Sequence, residues 1–248
     1  MKPRIAYIIS HPIQHFCPMF KAWAENPNWT LKVFFASSAG VNIYHDKNFG
    51  KEINWGNLYL DKFDHVFLNE NRVLPISNDL DAPDLIQSLV EFNPDIVIVL
   101  GYIQKYQRRG LNWAKANGKK ILMFSDSEDR QPRAFYKKIL KKIILPFYLK
   151  DVDAFLTTGN ANEDYYRSYG VKPTKFFRSS YPIDFSHYAK SFQHKMQIRG
   201  EIRDKFKFNE DDIVCSVVGK LVSWKNQKDL INSLEFCKNR HVKLLIIG

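Results

Sequence analysis

The chain is 248 residues long, 45% apolar and 25% charged, and Lys plus Arg exceed Asp plus Glu by 37 to 26, a net charge of +11. That length buries one large core or two modest ones, in a composition ordinary for a soluble globular protein. The excess charge favours an anionic partner, whether a phosphorylated ligand, nucleic acid or an acidic membrane face, without choosing among them. Cys17, Cys215 and Cys237 form no C-x-x-C pair and leave one thiol over in any pairing. This argues against a disulfide framework and for a reducing, cytosolic setting. No stretch approaches the length needed to span a bilayer.

Lys2-Pro3-Arg4 and the apolar run 5–9 imitate a signal peptide, but the run is short and no small-residue cleavage site follows, so it reads as a first strand. His11, Gln14 and His15 come next, at that strand's carboxyl end. A histidine there can orient a ligand or take its proton; it can equally cap a helix or pack. Residues 31–36 repeat the strand pattern. Residues 40–64 are polar, aromatic and irregular, and long loops of this kind are functional or mobile. Phe49 and Trp55 within it could stack on a ligand or pin the loop to the core.

Helical periodicity marks 84–92, closed before Pro94-Asp95, and a strand over 96–100 runs into Gly101-Tyr102. A helix over 104–117 ends at Asn117-Gly118, a sequence suited to a left-handed cap. The strand 121–124 precedes Asp126. From Arg133 to Lys150 there are six basic residues and no acid. Here Lys137, Lys138, Lys141 and Lys142 share one face of a helix over 134–145, with Ile139, Leu140, Ile143, Ile144 and Phe147 supplying an apolar side. Pro146 ends or kinks it. Such a helix can lie on an anionic membrane or pack on a sheet with a solvated basic face. A strand over 154–157 and a helix over 162–169 closed by Gly170 follow.

From Tyr181-Pro182-Ile183-Asp184 to about residue 209 the chain reads as a connector with a charged helix. Strand 213–218, helix 227–238 and strand 242–247 then begin a second unit. Consecutive apolar positions mean strands buried on both faces, and their alternation with helices predicts a doubly wound parallel α/β sheet. The expected division is 1–188 for a first, complete Rossmann-like domain, 189–210 for a connector, and 211–248 for the opening of a second.

The chemistry concentrates at the end of the 213–218 strand. Gly219 lets a ligand approach the backbone, Lys220 and Lys225 carry positive charge, and Asn226 is placed to cap the next helix. In open α/β sheets, ligands bind beyond the carboxyl ends of the strands, so this is an anion site or else a solvated loop with two lysines. The order of apolar strand, Gly219-Lys220-Leu221, Lys225 and amphipathic helix resembles the start of the nucleotide-sugar domain of glycosyltransferase family 4. Ile9 to His15, Phe49 to Trp55, Asn93-Pro94-Asp95 with Gly101-Tyr102, Asp126-Ser127, Val152 to Leu156, Gly159-Asn160, Asn162 to Gly170 and Tyr181 to Asp184 are similar, in that order, to one bacterial branch of the family.

The resemblance implies a GT-B fold and retaining transfer of a sugar from a UDP- or GDP-sugar to an acceptor hydroxyl. The acceptor would be a carbohydrate or a lipid-linked saccharide of the cell-surface polysaccharide or glycolipid type. It implies that Lys220 and Lys225 hold the donor diphosphate, with Gly219 and Asn226 beside them as donor-binding residues; His11, Gln14, Trp55 and Tyr102, by position or side-chain type, are the acceptor-binding candidates. The cysteine usage fits a cytoplasmic enzyme, and the basic, amphipathic stretch Arg133 to Lys150 would let it lie on the inner face of the membrane. Lysine at 220, where arginine is commoner, keeps the charge and loosens the geometry. Where the family carries a histidine that contacts the donor sugar, this chain reads Phe124-Ser125-Asp126-Ser127-Glu128, so Asp126, with His15, becomes the catalytic candidate. The family's two-glutamate motif is expected beyond Gly248, which makes the 248-residue form an expected fragment with little or no turnover.

No metal or cofactor is required if the lysines hold the leaving diphosphate; Asp151-Val152-Asp153, a D-x-D by letters, opens a buried strand. The alternative is a non-catalytic binding module of the same fold. A nucleic-acid binder is disfavoured, because the chain carries no recognisable nucleic-acid-binding motif.

Overall fold

The computed structural model describes residues 1–248 apart from 42, 47–49, 54–57 and 131–133. The chain forms two compact units, Met1–Tyr44 with Asn54–Ile183, and His45–Ile53 with Asp184–Gly248.

Among the described residues of the first unit, β1 (Arg4–Ile9), β2 (Thr30–Phe35), β5 (His65–Phe67), β6 (Ile96–Leu100), β7 (Lys120–Ser125), β8 (Ala154–Thr157) and β9 (Phe176–Arg178) make one seven-stranded sheet. Its order is β5-β2-β1-β6-β7-β8-β9, and each neighbouring pair is parallel. The chain starts in the middle, winds outward through β2 to β5, then returns to the far side of β1 and winds from β6 to β9. The reversal falls between β1 and β6, which splays the loops after those strands apart and opens a crevice. Strands β3 (Tyr44–Asp46) and β4 (Lys51–Ile53) form a separate two-stranded sheet.

Successive side chains of a strand point to opposite faces, and here both faces are apolar. Ala6, Ile8, Phe34, Val97, Val99, Ile121, Met123 and Phe155 face one core. It is closed by α2 (Leu85–Phe92), α3 (Lys105–Ala116), α4 (Phe135–Leu149) and α5 (Asn160–Ser168) through Leu85, Leu89, Tyr106, Leu111, Leu145, Leu149, Tyr165 and Tyr166. Ile5, Tyr7, Ile9, Val33, Phe35, Ile98 and Phe124 face the other, where α1 (Cys17–Ala24) contributes Cys17 and Phe20. The layered α/β architecture expected from the alternating runs is therefore present.

Several local expectations are corrected. Helix α1 escapes the sequence pattern because its eight residues bury only Cys17 and Phe20. Helix α4 runs through Pro146 to Leu149 instead of stopping at 145. An interior proline costs about 3 kcal/mol, whereas burying Leu145 and Leu149, 3% and 1% exposed, contributes roughly 1.5–3 kcal/mol each. The two leucines outweigh the proline. Lys141 does not share a solvated face with Lys138 and Lys142; it lies on the stripe of Leu145 and Leu149 and donates to the Tyr165 hydroxyl at 3.1 Å.

In the second unit β10 (Ile213–Val218) and β11 (Val242–Ile247) pair in parallel. The expected burial of β10 is not observed, since Ile213, Cys215 and Val218 are exposed; two strands and one short helix cannot cover both faces of a sheet. The helix expected over 227–238 is α8 (Gln227–Ser233), followed by a 3-10 turn at Leu234–Phe236. Residues read as a connector form α6 (Phe185–Gln193) and α7 (Lys195–Phe206). The guanidinium of Arg203 is buried and gathers the carbonyls of Asn209, Glu210 and Asp212, which fixes the turn into β10.

Candidate functional site

The crevice at the chain reversal holds a cavity of about 330 Å3, within the range of small-ligand pockets, roughly 300–1,000 Å3. Its polar walls include His15 from the segment after β1, Tyr102, Gln104 and Gln107 after β6, Asp126 after β7, and Tyr181 beyond β9. All of them belong to the first unit.

Each wall is held by an interaction that the local sequence supplies. Gly101 turns the chain out of β6 at φ +91°, and a Cβ there would sit 3.1 Å from Gln107 Nε2, so glycine answers both the torsion and the space. The buried Gln107 amide donates to the Leu100 carbonyl and accepts from the Gln104 N–H at 2.7 Å, stitching the end of β6 to the start of α3. Asp126 lies between two pins. The Ser125 and Tyr166 hydroxyls are hydrogen-bonded to each other. The Ser127 carbonyl accepts from Asn162 Nδ2 at 2.7 Å. Helix α5 thus fixes the loop that presents the carboxylate.

Tyr181 packs edge-on against Phe124, with ring centroids 5.5 Å apart, and against His15, also at 5.5 Å. Burial, and then the hydrogen bond and negative charge of Asp126, push the Tyr181 phenol above its usual range. It therefore stays protonated and donates to Asp126, orienting the carboxylate and leaving its other lone pairs for a ligand hydroxyl. Burial lowers the His15 imidazole below 6.5, which keeps it neutral near pH 7 and able to accept a proton. Among the described residues, no Lys or Arg lines this cavity. It suits a neutral, hydroxyl-bearing group better than a diphosphate.

The structure brings His15, Tyr102 and Asp126 into one cavity and leaves His11 and Gln14 outside its walls. His11 Nδ1 is 2.8 Å from Ser10 Oγ, and burial together with the neighbouring His15 lowers its pKa to about 4, so it is a neutral, packed histidine. Gln14 is exposed. Trp55 and Phe49 lie outside the described residues. Gln107 and Ser125 lie in no motif, and the stretches Asn162 to Gly170 and Tyr181 to Asp184 resemble the family without marking a role for Asn162 or Tyr181; these side chains acquire their roles only when the strands align. Asp151 and Asp153 are structural. Asp151 accepts from Lys115 at 2.6 Å, and Asp153 accepts from Lys120 Nζ and the Ile121 N–H at 2.9 Å each. Burial opposes ionisation of Asp153, yet the Ile121 amide, Lys120 and Lys175 together hold it below the usual carboxylate range. Among the described residues no group of three or more His, Cys, Asp or Glu side chains is placed to hold a metal ion.

In the second unit, Gly219 leaves β10 at φ +151°. The Lys220 carbonyl accepts from the Gln227 side chain at 2.9 Å, and Lys225 ends a single 3-10 turn with its ammonium 4.6 Å from the Trp224 ring centroid. Asn226 precedes α8 in the left-handed region, φ +58°, but its side chain donates to Asp229 at 2.8 Å and caps no backbone group. The capping expected of it is not made, because Asp229 in the first turn offers a charged acceptor. Any anion binding here depends on Lys220, Lys225 and the open backbone at Gly219.

No protein-family profile and no curated protein matches this chain. In structure it is similar to a glycosyltransferase from Rickettsia africae (TM-score 0.64, 15% identity, 100% of this chain and 60% of that one). It is also similar to HepE of Anabaena in complex with UDP (0.62, 14%, 99% and 60%), and to a UDP-GlcNAc 2-epimerase of Neisseria meningitidis bound to UDP-GlcNAc (0.55, 11%, 98% and 64%). At these identities the likeness is one of fold: the chain is α/β, of the GT-B, Rossmann-like type. It spans about 60% of the length of the first two of these proteins. No helix among the described residues is long and apolar enough to cross a membrane.

Proposed function

We propose that the chain belongs to a retaining glycosyltransferase of family 4 that moves a sugar from a UDP- or GDP-sugar to an acceptor hydroxyl, with the first unit holding the acceptor. The observation that carries this reading is the cavity at the chain reversal, where Asp126, fixed by Tyr181 and by α5, meets His15 and Tyr102. Asp126 orients the acceptor hydroxyl and His15 takes its proton as the new C–O bond forms. The bond from the anomeric carbon to the diphosphate breaks, and the diphosphate leaves with the electron pair. Charge on that leaving group is the main electrostatic demand, and Lys220 and Lys225 meet it, so turnover needs no metal. The domain limits proposed are those expected from the sequence, 1–188, 189–210 and 211–248. The open faces of β10 and β11 make the 248-residue form a poor catalyst by itself. Phe135, Ile139, Ile143 and Phe147, spaced four apart along α4 and all exposed, suit the protein to the inner face of a membrane and a lipid-linked acceptor.

Calorimetry with UDP- and GDP-sugars on wild type, Lys220→Ala and Lys225→Ala tests the donor assignment. Each loss removes a charge-assisted contact and is expected to weaken binding about tenfold or more; unchanged affinity in both variants removes the assignment. The epimerase neighbours favour a second reading, nucleotide-sugar 2-epimerisation. Conversion of UDP-GlcNAc to its C2 epimer without an acceptor would select it over transfer.

A further inference from the structure

Beside the polar cavity lies a larger groove, about 730 Å3, walled by Tyr102, Ile103, Arg108, Leu140, Lys141 and Ile144, with Leu145 at its base. Tyr102 and Ile103 belong to both cavities. Helical spacing explains the wall: Leu140, Ile144 and Tyr148 are four apart and form one stripe of α4. Leu140 and Ile144 are 55% and 44% exposed, and Ile103 across from them is 49% exposed. Soluble proteins rarely leave such a contiguous apolar surface open unless it receives something.

Two cations mark the groove. Lys141 is turned inward, its ammonium 3.1 Å from the Tyr165 hydroxyl, which in turn is 2.5 Å from the Tyr102 hydroxyl. Arg108 is half-buried and tied to the Ile103 carbonyl, so its guanidinium is held at the groove and is not free to swing into solvent. Neither Lys141 nor Arg108 has a carboxylate partner among the ion pairs of the described residues. A long apolar trough with two fixed cations is complementary to a ligand with a hydrocarbon tail and an anionic head.

We propose that this groove binds a single lipid phosphate, with its tail along Leu140, Ile144 and Tyr148 and its phosphate on Lys141 and Arg108. Because Tyr102 and Ile103 wall both spaces, a saccharide joined to that phosphate passes from the groove into the cavity of His15 and Asp126. The groove is thereby the lipid subsite of the acceptor. That role rests on the sugar-transfer reading; the binding of the lipid phosphate does not.

The test is calorimetric titration of the 248-residue chain with dodecyl phosphate below its micelle concentration, against inorganic phosphate and the neutral-headed dodecyl maltoside. One dodecyl phosphate per chain is expected, with both comparators at least about tenfold weaker, since each lacks either the tail or the charge. Lys141→Met is expected to remove the preference for dodecyl phosphate over dodecyl maltoside. Ile144→Glu and Leu140→Glu, both at exposed positions, are expected to weaken dodecyl phosphate about tenfold or more by placing a carboxylate in the trough. Circular dichroism melts confirm that each variant folds.

Equal binding of the phosphate and the neutral amphiphile overturns the proposal, as does indifference to both glutamate variants. So does binding to anionic vesicles without binding of the monomeric lipid, which assigns the face to a bilayer surface. A dimer in sedimentation that Ile144→Glu dissociates overturns it too, assigning the face to a second copy of the chain. The titration contains no nucleotide sugar, so failure here leaves the Lys220 and Lys225 test standing. Failure of that test with dodecyl phosphate still bound removes the transfer reading and keeps the groove.

Discussion

Protonation of His11 should make the fold sensitive to mild acid. Its pKa falls from 6.5 to about 4 in the folded chain, chiefly through burial and secondly through His15. A lowered folded value means that the unfolded chain binds more protons between these limits, so stability is fully present above pH 6.5 and is lost as pH falls towards 4. The gap of about 2.5 pH units, at 1.36 kcal/mol each, amounts to about 3 kcal/mol. Below pH 4 both states are protonated and the loss levels off. In the His11→Gln variant the side chain can still bond Ser10 Oγ, now 2.8 Å from the imidazole, but cannot titrate. Urea unfolding of both proteins at intervals from pH 7.5 to 4 isolates the effect, because carboxylates held below their usual range, such as Glu163 and Asp81, titrate equally in both. The wild type should lose about 3 kcal/mol more than the variant across the window. A stability difference that stays constant from pH 7.5 to 4 would falsify the assignment of His11 as a buried neutral base.

Other outcomes follow from the same geometry. Gly110→Ala places a Cβ 2.5 Å from Ile8 Cδ1, where α3 lies against β1, and overpacking of this kind should cost about 1–3 kcal/mol in chemical denaturation; an unchanged midpoint would show that the helix can retreat. Tyr181→Phe removes the hydroxyl that orients Asp126 while leaving the ring in place. Saccharide binding to the first unit, read by calorimetry, should weaken about tenfold with stability changed by no more than about 1 kcal/mol, and unchanged affinity would detach Asp126 from the acceptor site. Arg109→Met breaks the two-pronged contact with Asp81, at 2.5 and 2.8 Å. Both side chains are partly exposed, so the loss should be no more than about 1 kcal/mol and should shrink in 1 M salt.

The strands were legible because each reads apolar at consecutive positions: 96–100, 154–157, 213–218 and 242–247 were expected with the bounds the structure gives. Glycine ends were equally legible, since Gly118 and Gly170 both take the left-handed conformation expected of a helix terminus. The short edge strands His65–Phe67 and Phe176–Arg178 were not, because three residues paired on the sheet's margins carry too little periodicity to stand out. In the site, a carboxylate and a histidine following strand ends could be picked out by position along the chain. The direction each faces could not, and His11 and His15, four residues apart, divide into a packed histidine and a cavity wall.

Apolar rhythm, turn residues and the placement of charge, all local properties of the chain, determined by themselves that this protein is a parallel α/β structure with cations after the strand that ends at Val218. Sheet order belongs to tertiary structure alone, because it depends on pairings between strands tens of residues apart. That order sets the β1–β6 reversal, brings Tyr181 from beyond the last strand onto Asp126, and turns Lys141 inward to Tyr165.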